Sequence, residues 1–113
     1  MVYIGSTPYY RQYEAVSFAI AQRLFSQSMD VRRLGAASLE LCYLAAGRGE
    51  CYYECVLSPW DYAAGSLILE EAGGVATDMT GKPLRFDQKC SMAASNAVCH
   101  QSLLDILAQC GPC

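Results

Sequence analysis

Two carboxylates near the middle of the chain, Glu54 and Asp61, are the residues whose types and setting indicate chemistry. Asp61 follows Ser58 and Pro59 at the start of a predicted helix, where the helix dipole stabilises an anionic side chain and favours a bound anion or its metal counter-ion. Glu54 is a charged residue near the end of the predicted strand CYYECV, and it either faces a site or lies on the surface of an edge strand. A plain helix-capping role is the alternative for Asp61.

The helix that positions Asp61 is predicted to begin at about residue 60 and to end at the double glycine of residues 73 and 74. Gly65 leaves room for close contact with a neighbouring element. The face that we expect to be buried holds three apolar residues, Leu67, Ile68 and Ala72.

A second helix is predicted over residues 36–46, directly after Gly35. Backbone N–H groups at Gly35 and Ala36 are unpaired at such a helix start, and the missing side-chain bulk lets a ligand approach them closely. These features predict an anion cradle, although small residues also serve close packing alone.

The remaining periodicities complete an alternating order of strands and helices. Such an order is typical of an α/β fold, here with a mostly parallel or mixed sheet flanked by helices. Ligands of open α/β sheets bind at the carboxyl ends of strands, and Gly35 and Asp61 are both expected there. The other predicted elements are strands over residues 1–5, 29–34, 50–56, 75–78 and 91–95 and helices over residues 11–26 and 97–107.

A chain of 113 residues with 53% hydrophobic and 17% charged residues indicates one globular domain. Its formal net charge of -3 gives no attraction to nucleic acid or to an anionic membrane surface. Charged or polar residues interrupt the long apolar stretches, so no segment is expected to span a bilayer. The first residues lack the pattern of a signal peptide, and a cytoplasmic protein is therefore expected.

Seven cysteines occur at irregular spacing, and without a secretory signal we expect them to be reduced thiols. The CGPC run of residues 110–113 matches the dithiol pattern of thioredoxins, but it follows a predicted helix, whereas that chemistry needs its first cysteine at a helix N-terminus. Cys51, Cys55 and His100 lack the spacing of a zinc site. Redox and zinc chemistry are therefore the weaker hypotheses.

The runs WDYAAG at residues 60–65 and EAGG at residues 71–74 resemble the second signature of the inositol monophosphatase family, which comprises lithium-sensitive, magnesium-dependent phosphomonoesterases. Residues 30–42 are similar to the substrate-facing segment of that family. The resemblance implies that Asp61 binds a catalytic Mg²⁺ and that Glu54 contacts a hydroxyl group of inositol or a sugar. It also implies that the substrate is lined by Gly35, Ala36 and Ala37.

The resemblance extends to Leu107 but covers only the C-terminal part of the family's usual length. The family's other metal ligands lie in an N-terminal half, in a glutamate and an Asp-Pro-Ile/Leu-Asp-Gly-Thr segment, and no such segment occurs here. We therefore expect residues 1–113 to form one domain equivalent to the C-terminal half, with a loose tail at residues 108–113. Because a single carboxylate does not hold two magnesium ions against hydration, we expect the isolated chain to be inactive.

The resemblance thus implies a part in the magnesium-dependent hydrolysis of inositol phosphate or a related sugar phosphate. The expected partners are a phosphorylated polyol or sugar and either the N-terminal half of the phosphatase or a second copy of the chain. A half-protein exposes apolar surface, which favours a homo-oligomer. The alternative is a noncatalytic module of the same fold that binds a phosphorylated ligand or serves in assembly.

Overall fold

The computed structural model describes residues 1–27 and 30–111. It contains five strands and four α-helices within these residues, and a short 3-10 helix at Arg11–Tyr13 precedes the first α-helix. No helix within the described ranges is long and apolar enough to cross a membrane. In chain order the elements are β1 (Val2–Ile4), α1 (Glu14–Gln27), β2 (Val31–Arg32), α2 (Ala37–Ala45), β3 (Cys51–Leu57), α3 (Pro59–Glu71), β4 (Val75–Thr77), β5 (Cys90–Ser95) and α4 (His100–Cys110).

The five strands form one mixed sheet in the order β2-β1-β3-β5-β4. Strand β1 is parallel to both of its neighbours, with Val2 opposite Val31 of β2 and Cys51 of β3. Strand β5 is antiparallel to β3 and to β4, so it alone among these five strands runs against the others. The predicted α/β class with a mostly parallel or mixed sheet is therefore confirmed.

Helices cover both faces of the sheet, and each face has its own apolar core. Along β3 the side chains alternate between faces, so Tyr52 packs with α2 and α3 while Tyr53 packs with α1 and α4. Both tyrosines are almost fully buried. Glu54 follows Tyr52 by two residues and Tyr52 donates a hydrogen bond to it, which places this carboxylate on the α2 and α3 side of the sheet.

The buried face of α3 differs from the predicted one. Leu67 and Ile68 are 58% and 47% exposed, and Ala72 is exposed as well, so the prediction that these three residues are buried is wrong. The face that packs inward holds Tyr62, Gly65, Ser66 and Leu69. The predicted role of Gly65 is confirmed, because a Cβ atom at this position would lie only 2.9 Å from Cβ of Leu41 on α2.

Two element boundaries also depart from the predictions. Helix α4 begins at His100 rather than at about residue 97, because Ala97 adopts a positive φ of 80° that no α-helical residue has. It continues to Cys110, so residues 108–110 of the predicted loose tail are helical, whereas Pro112 and Cys113 lie outside the described residues. The strand predicted over residues 29–34 is reduced to Val31–Arg32, and Met29 is likewise outside the described ranges.

The cysteines agree only in part with the prediction of reduced thiols. Cys55 is disulfide-bonded, which contradicts the prediction of a reduced thiol at this position. The weaker hypothesis of redox chemistry at residues 110 and 113 is not tested, because residue 113 lies outside the described residues. Within residues 1–27 and 30–111, the free thiols are those of Cys42, Cys51, Cys90, Cys99 and Cys110.

Candidate functional site

A cavity of about 710 Å³ lies where the parallel strands β1, β2 and β3 reach their carboxyl ends. Its walls are the loops that follow these strands and the N-terminal turns of α2 and α3. This is the edge of the sheet at which the sequence predicted a site. The cavity is lined by all five residues named from the sequence: Gly35, Ala36, Ala37, Glu54 and Asp61.

Asp61 is the third residue of α3 and closes a capping interaction with the residue before the helix. The backbone N–H of Ser58, the N-cap residue, donates a hydrogen bond of 3.0 Å to Oδ2 of Asp61. Pro59 occupies the first helical position, as the sequence predicted. One hydrogen bond leaves most of the acceptor capacity of a carboxylate available, so Asp61 can cap and also bind a ligand.

Glu54 is held firmly by three hydrogen bonds. Its Oε2 atom accepts from the backbone N–H of Thr7 at 2.8 Å and from the Thr7 hydroxyl at 2.9 Å, and its Oε1 atom accepts from the hydroxyl of Tyr52 at 2.7 Å. The residue is only 9% exposed and belongs to the central strand, so the alternative of a surface carboxylate on an edge strand is wrong. Gly5 lies directly behind it, since an added Cβ there would overlap Oε1.

The start of α2 presents backbone groups to the cavity. Gly35 has a positive φ of 87°, which turns the chain into the helix, and Ala36 is the N-cap residue with extended backbone angles. An alanine side chain carries no oxygen, and within the described residues no side-chain hydrogen bond caps this helix. The first N–H groups of α2 therefore remain available to an oxygen of a ligand.

Glu40 is a buried residue of this cavity that sequence reasoning missed. It lies one turn into α2, is 1% exposed and still lines the cavity. Burial, followed by the negative charge of Glu54, raises the pKa of Glu40 to about 8, although the backbone N–H of Leu34 and the charge of Arg33 act in the opposite direction. The signal available in the sequence was a glutamate beside Leu41, on the helix face that is otherwise apolar.

Two cations on the rim were given no role of their own from the sequence, although Arg33 belongs to the predicted substrate-facing segment 30–42. Arg33 follows β2 and donates from Nε to the hydroxyl of Ser6 at 3.0 Å. Lys89 donates from Nζ to the hydroxyl of Tyr10 at 2.6 Å, and the same ammonium lies over the Tyr10 ring. The cavity therefore combines a carboxyl floor, formed by Glu40 and Glu54, with a positively charged rim. Such a surface suits a ligand with hydroxyl groups at one end and an anionic group at the other.

The capacity for metal binding is limited to isolated carboxylates. The described ranges contain no group of three or more His, Cys, Asp or Glu side chains placed to hold a metal ion. Asp61 has the oxygen donor chemistry that Mg²⁺ prefers, and it lines the cavity. It fits one position in the coordination shell of such an ion, and further ligands would have to come from elsewhere.

Sequence comparison relates residues 5–111 to a family model described as the inositol monophosphatase family. The chain is 46% identical over 71 residues to the Nus factor SuhB of Escherichia coli, which covers 63% of this chain and 27% of that protein. It is 50% identical over 82 residues to the chloroplastic phosphatase IMPL1 of Arabidopsis thaliana, which covers 72% of this chain and 22% of that protein.

Comparison of folds identifies solved structures that match almost the whole chain. The inositol monophosphatase from Anabaena superimposes with a TM-score of 0.85 at 34% identity, covering 98% of this chain and 44% of that one. SaIMPase-II, solved with inositol monophosphate bound, superimposes with a TM-score of 0.79 at 29% identity, covering 96% of this chain and 44% of that one. The chain thus spans about a quarter of these curated relatives and less than half of these solved chains.

Proposed function

The chain belongs to the inositol monophosphatase family, and we therefore propose that it forms the substrate-binding wall, with one metal ligand, of a magnesium-dependent phosphomonoesterase. The substrate would be an inositol phosphate or a related sugar phosphate. The observation that carries this proposal is that Asp61, Glu54 and the start of α2 line the same cavity. A solved relative is described with inositol monophosphate bound, which supports the same substrate class.

The residues of this chain would bind and orient the substrate. Backbone N–H groups at Gly35, Ala36 and Ala37 would donate hydrogen bonds to substrate oxygens, since no side chain within the described residues caps them. Glu54 would accept a hydrogen bond from a polyol hydroxyl at Oε1, which keeps acceptor capacity beyond its hydrogen bond from Tyr52. The rigid anchoring of Glu54 fixes the position of that hydroxyl and reduces the ordering cost of binding.

Asp61 would be the ligand that this chain contributes to the metal. A bound Mg²⁺ would supply charge neutralisation at the phosphate and an activated water. Asp61 suits this role because it stands in the first turn of α3 and accepts a hydrogen bond from Ser58 at Oδ2, one of its two carboxylate oxygens. Inhibition by lithium would follow from membership of the family, and one solved relative is described as an inhibitory complex soaked in LiCl.

The isolated chain would lack turnover, because the described residues offer no set of three metal ligands. We propose that the remaining ligands come from an N-terminal half, in a longer protein or a separate chain, or from a second copy. This agrees with the share of the relatives that the chain matches. A cytoplasmic location and a homo-oligomer remain predictions.

The test measures inorganic phosphate release from inositol 1-phosphate by the 113-residue chain, with and without Mg²⁺, beside the Asp61→Asn variant. We expect no release from either protein, although nuclear magnetic resonance should detect weak binding of the phosphate ester to the folded chain. Magnesium-dependent phosphate release by the isolated chain would overturn the proposal that its metal site is incomplete. If the folded chain did not bind the phosphate ester, the proposal that it forms a substrate-binding wall would be overturned.

A noncatalytic module of the same fold is the second candidate. It is favoured by one observation, namely that a relative 46% identical over 71 residues carries the name Nus factor rather than phosphatase. A chain that binds the phosphate ester, and that stays inactive when the missing half is supplied, would favour this candidate over the enzyme.

A further inference from the structure

The side chain of Glu40 is the polar group of the cavity that the proposed function leaves unexplained. Its Oε2 atom has no hydrogen-bond partner among the described residues, and the residue is 1% exposed. Glu40 therefore lines the cavity while one of its oxygens is buried without a partner in the described part of the chain.

A buried polar atom without a partner destabilises a protein, so its presence calls for an explanation. Glu40 occupies a position of α2 flanked by the buried core residues Leu41 and Leu44, where an apolar side chain would pack without this cost. The neighbouring carboxylate of Glu54 adds electrostatic repulsion. These costs are understandable if a ligand in the cavity supplies the missing hydrogen bond.

We propose that Glu40 is a specificity-determining residue of this cavity, whose Oε2 atom hydrogen-bonds a ring hydroxyl of a polyol phosphate beside the hydroxyl held by Glu54. The inference rests on the proposed function, because it takes the ligand to be a phosphorylated polyol. It adds a second polar contact, on α2, to the contact predicted on β3.

The chemistry of the site favours a hydroxyl group over other ligand atoms. Near neutral pH the raised pKa leaves much of Glu40 as a carboxylic acid, which both donates and accepts hydrogen bonds, as a hydroxyl group requires. A phosphate oxygen would instead be repelled by Glu54 and is better placed at the cationic rim of Arg33 and Lys89. A metal ion would need ligands that the described residues do not group together here.

The experiment titrates the 113-residue chain with inositol 1-phosphate and with cyclohexyl phosphate, which has the ring and the phosphate but no ring hydroxyls. Nuclear magnetic resonance in buffer with Mg²⁺ measures the affinities of the wild-type chain, of Glu40→Met and of Glu40→Gln. The control variant is Glu71→Gln, which changes an exposed glutamate on the last turn of α3.

We expect Glu40→Met to lose about tenfold or more in affinity for inositol 1-phosphate and to bind cyclohexyl phosphate as the wild type does. Glu40→Gln retains a hydrogen-bonding group and should stay within about threefold of the wild type for both ligands. Glu40→Met should also raise the melting temperature, which shows that it folds.

Three outcomes would overturn the inference. Unchanged affinity of Glu40→Met for inositol 1-phosphate would remove Glu40 from the ligand contacts and leave the proposed function intact. If Glu40→Met lost affinity equally for both ligands, the cause would be a distorted cavity rather than a lost contact with a ring hydroxyl. A wild-type chain that binds inositol 1-phosphate no better than cyclohexyl phosphate would overturn the polyol substrate itself, and with it the proposed function.

Discussion

Glu40 of α2 and Glu54 of β3 place two carboxyl groups at the floor of one cavity, with different surroundings. Glu54 receives three hydrogen bonds through Thr7 and Tyr52, which stabilise its charge. Glu40 has a buried oxygen without a partner in the described part of the chain, and burial and the charge of Glu54 raise its pKa to about 8. The floor therefore pairs the carboxyl group of Glu54 with a Glu40 side chain that is largely a carboxylic acid near neutral pH.

This pairing predicts that the Glu40→Gln variant alters the pH dependence of stability. Between pH 4.5 and about 8 the folded chain keeps the proton of Glu40 while the unfolded chain releases it. Stability of the wild type therefore falls as pH rises through this window, by up to about 1.4 kcal/mol per pH unit. The Glu40→Gln variant has no ionisable group at residue 40. The wild type should therefore lose stability relative to this variant as the pH rises.

Urea unfolding at several pH values between 5 and 8 measures this effect, with Glu71→Gln as the exposed control. The contribution of His100 is the same in each protein and cancels in the difference. A stability difference between wild type and Glu40→Gln that does not change with pH would contradict the raised pKa.

Gly5→Ala should disturb the anchoring of Glu54. A Cβ atom at residue 5 would overlap Oε1 of Glu54 and lie 2.7 Å from Oε2, so the buried carboxylate must move. We expect a loss of about 2 kcal/mol in the free energy of unfolding, together with weaker ligand binding. Gly73→Ala is the control, because a Cβ there meets open space and costs only about 1 kcal/mol of backbone strain. Equal stability of Gly5→Ala and wild type would contradict the close contact.

Gly65→Ala tests the contact between α2 and α3. Alanine improves helix propensity by about 1 kcal/mol, but its Cβ would lie 2.9 Å from Cβ and Cδ1 of Leu41. We expect a net loss of about 1 to 2 kcal/mol in unfolding free energy. The double variant with Leu41→Ala should show a favourable coupling between the two changes, because the smaller residue makes room. Strictly additive effects would show that these positions do not touch.

His100 should titrate at lower pH than a free histidine. It is the sole histidine of the sequence, and it is buried between the hydroxyls of Ser95 at 2.8 Å and Thr77 at 3.0 Å. Burial lowers its pKa below 6.5, so stability is complete above that pH and is lost as the pH falls. The single imidazole resonance reports the midpoint directly, and a value at or above 6.5 would contradict the structure.

The sequence predicted those parts of the site that depend on local chemistry. The helix start at Asp61 and the turn at Gly35 are determined by caps, proline and glycine, which act within a few residues. Their meeting at one edge of the sheet followed from the alternation of strands and helices. The predicted position of the cavity depended on these two features alone.

The features that the sequence did not predict depend on contacts between elements that are distant in the sequence. Helix α3 is apolar on several faces, so its periodicity could not distinguish Leu67 from Leu69, and the choice is made by the fit of Gly65 against α2. Glu40 looked like a polar interruption of an apolar helix, and only the neighbouring strand shows that it lies beside Glu54. The rim cations come from loops whose paths no periodicity describes.

The most direct measurement uses a chimera, in which this chain is joined to the remaining part of a relative. The segment of the Anabaena inositol monophosphatase that matches this chain, 44% of that protein, is replaced by the present chain. Inorganic phosphate release from inositol 1-phosphate is measured with and without Mg²⁺, beside the intact Anabaena protein. We predict magnesium-dependent release by the chimera and its loss in the chimera that carries Asp61→Asn. A folded chimera that releases no phosphate, or one whose activity survives Asp61→Asn, would contradict the assignment of this cavity as half of a phosphatase site.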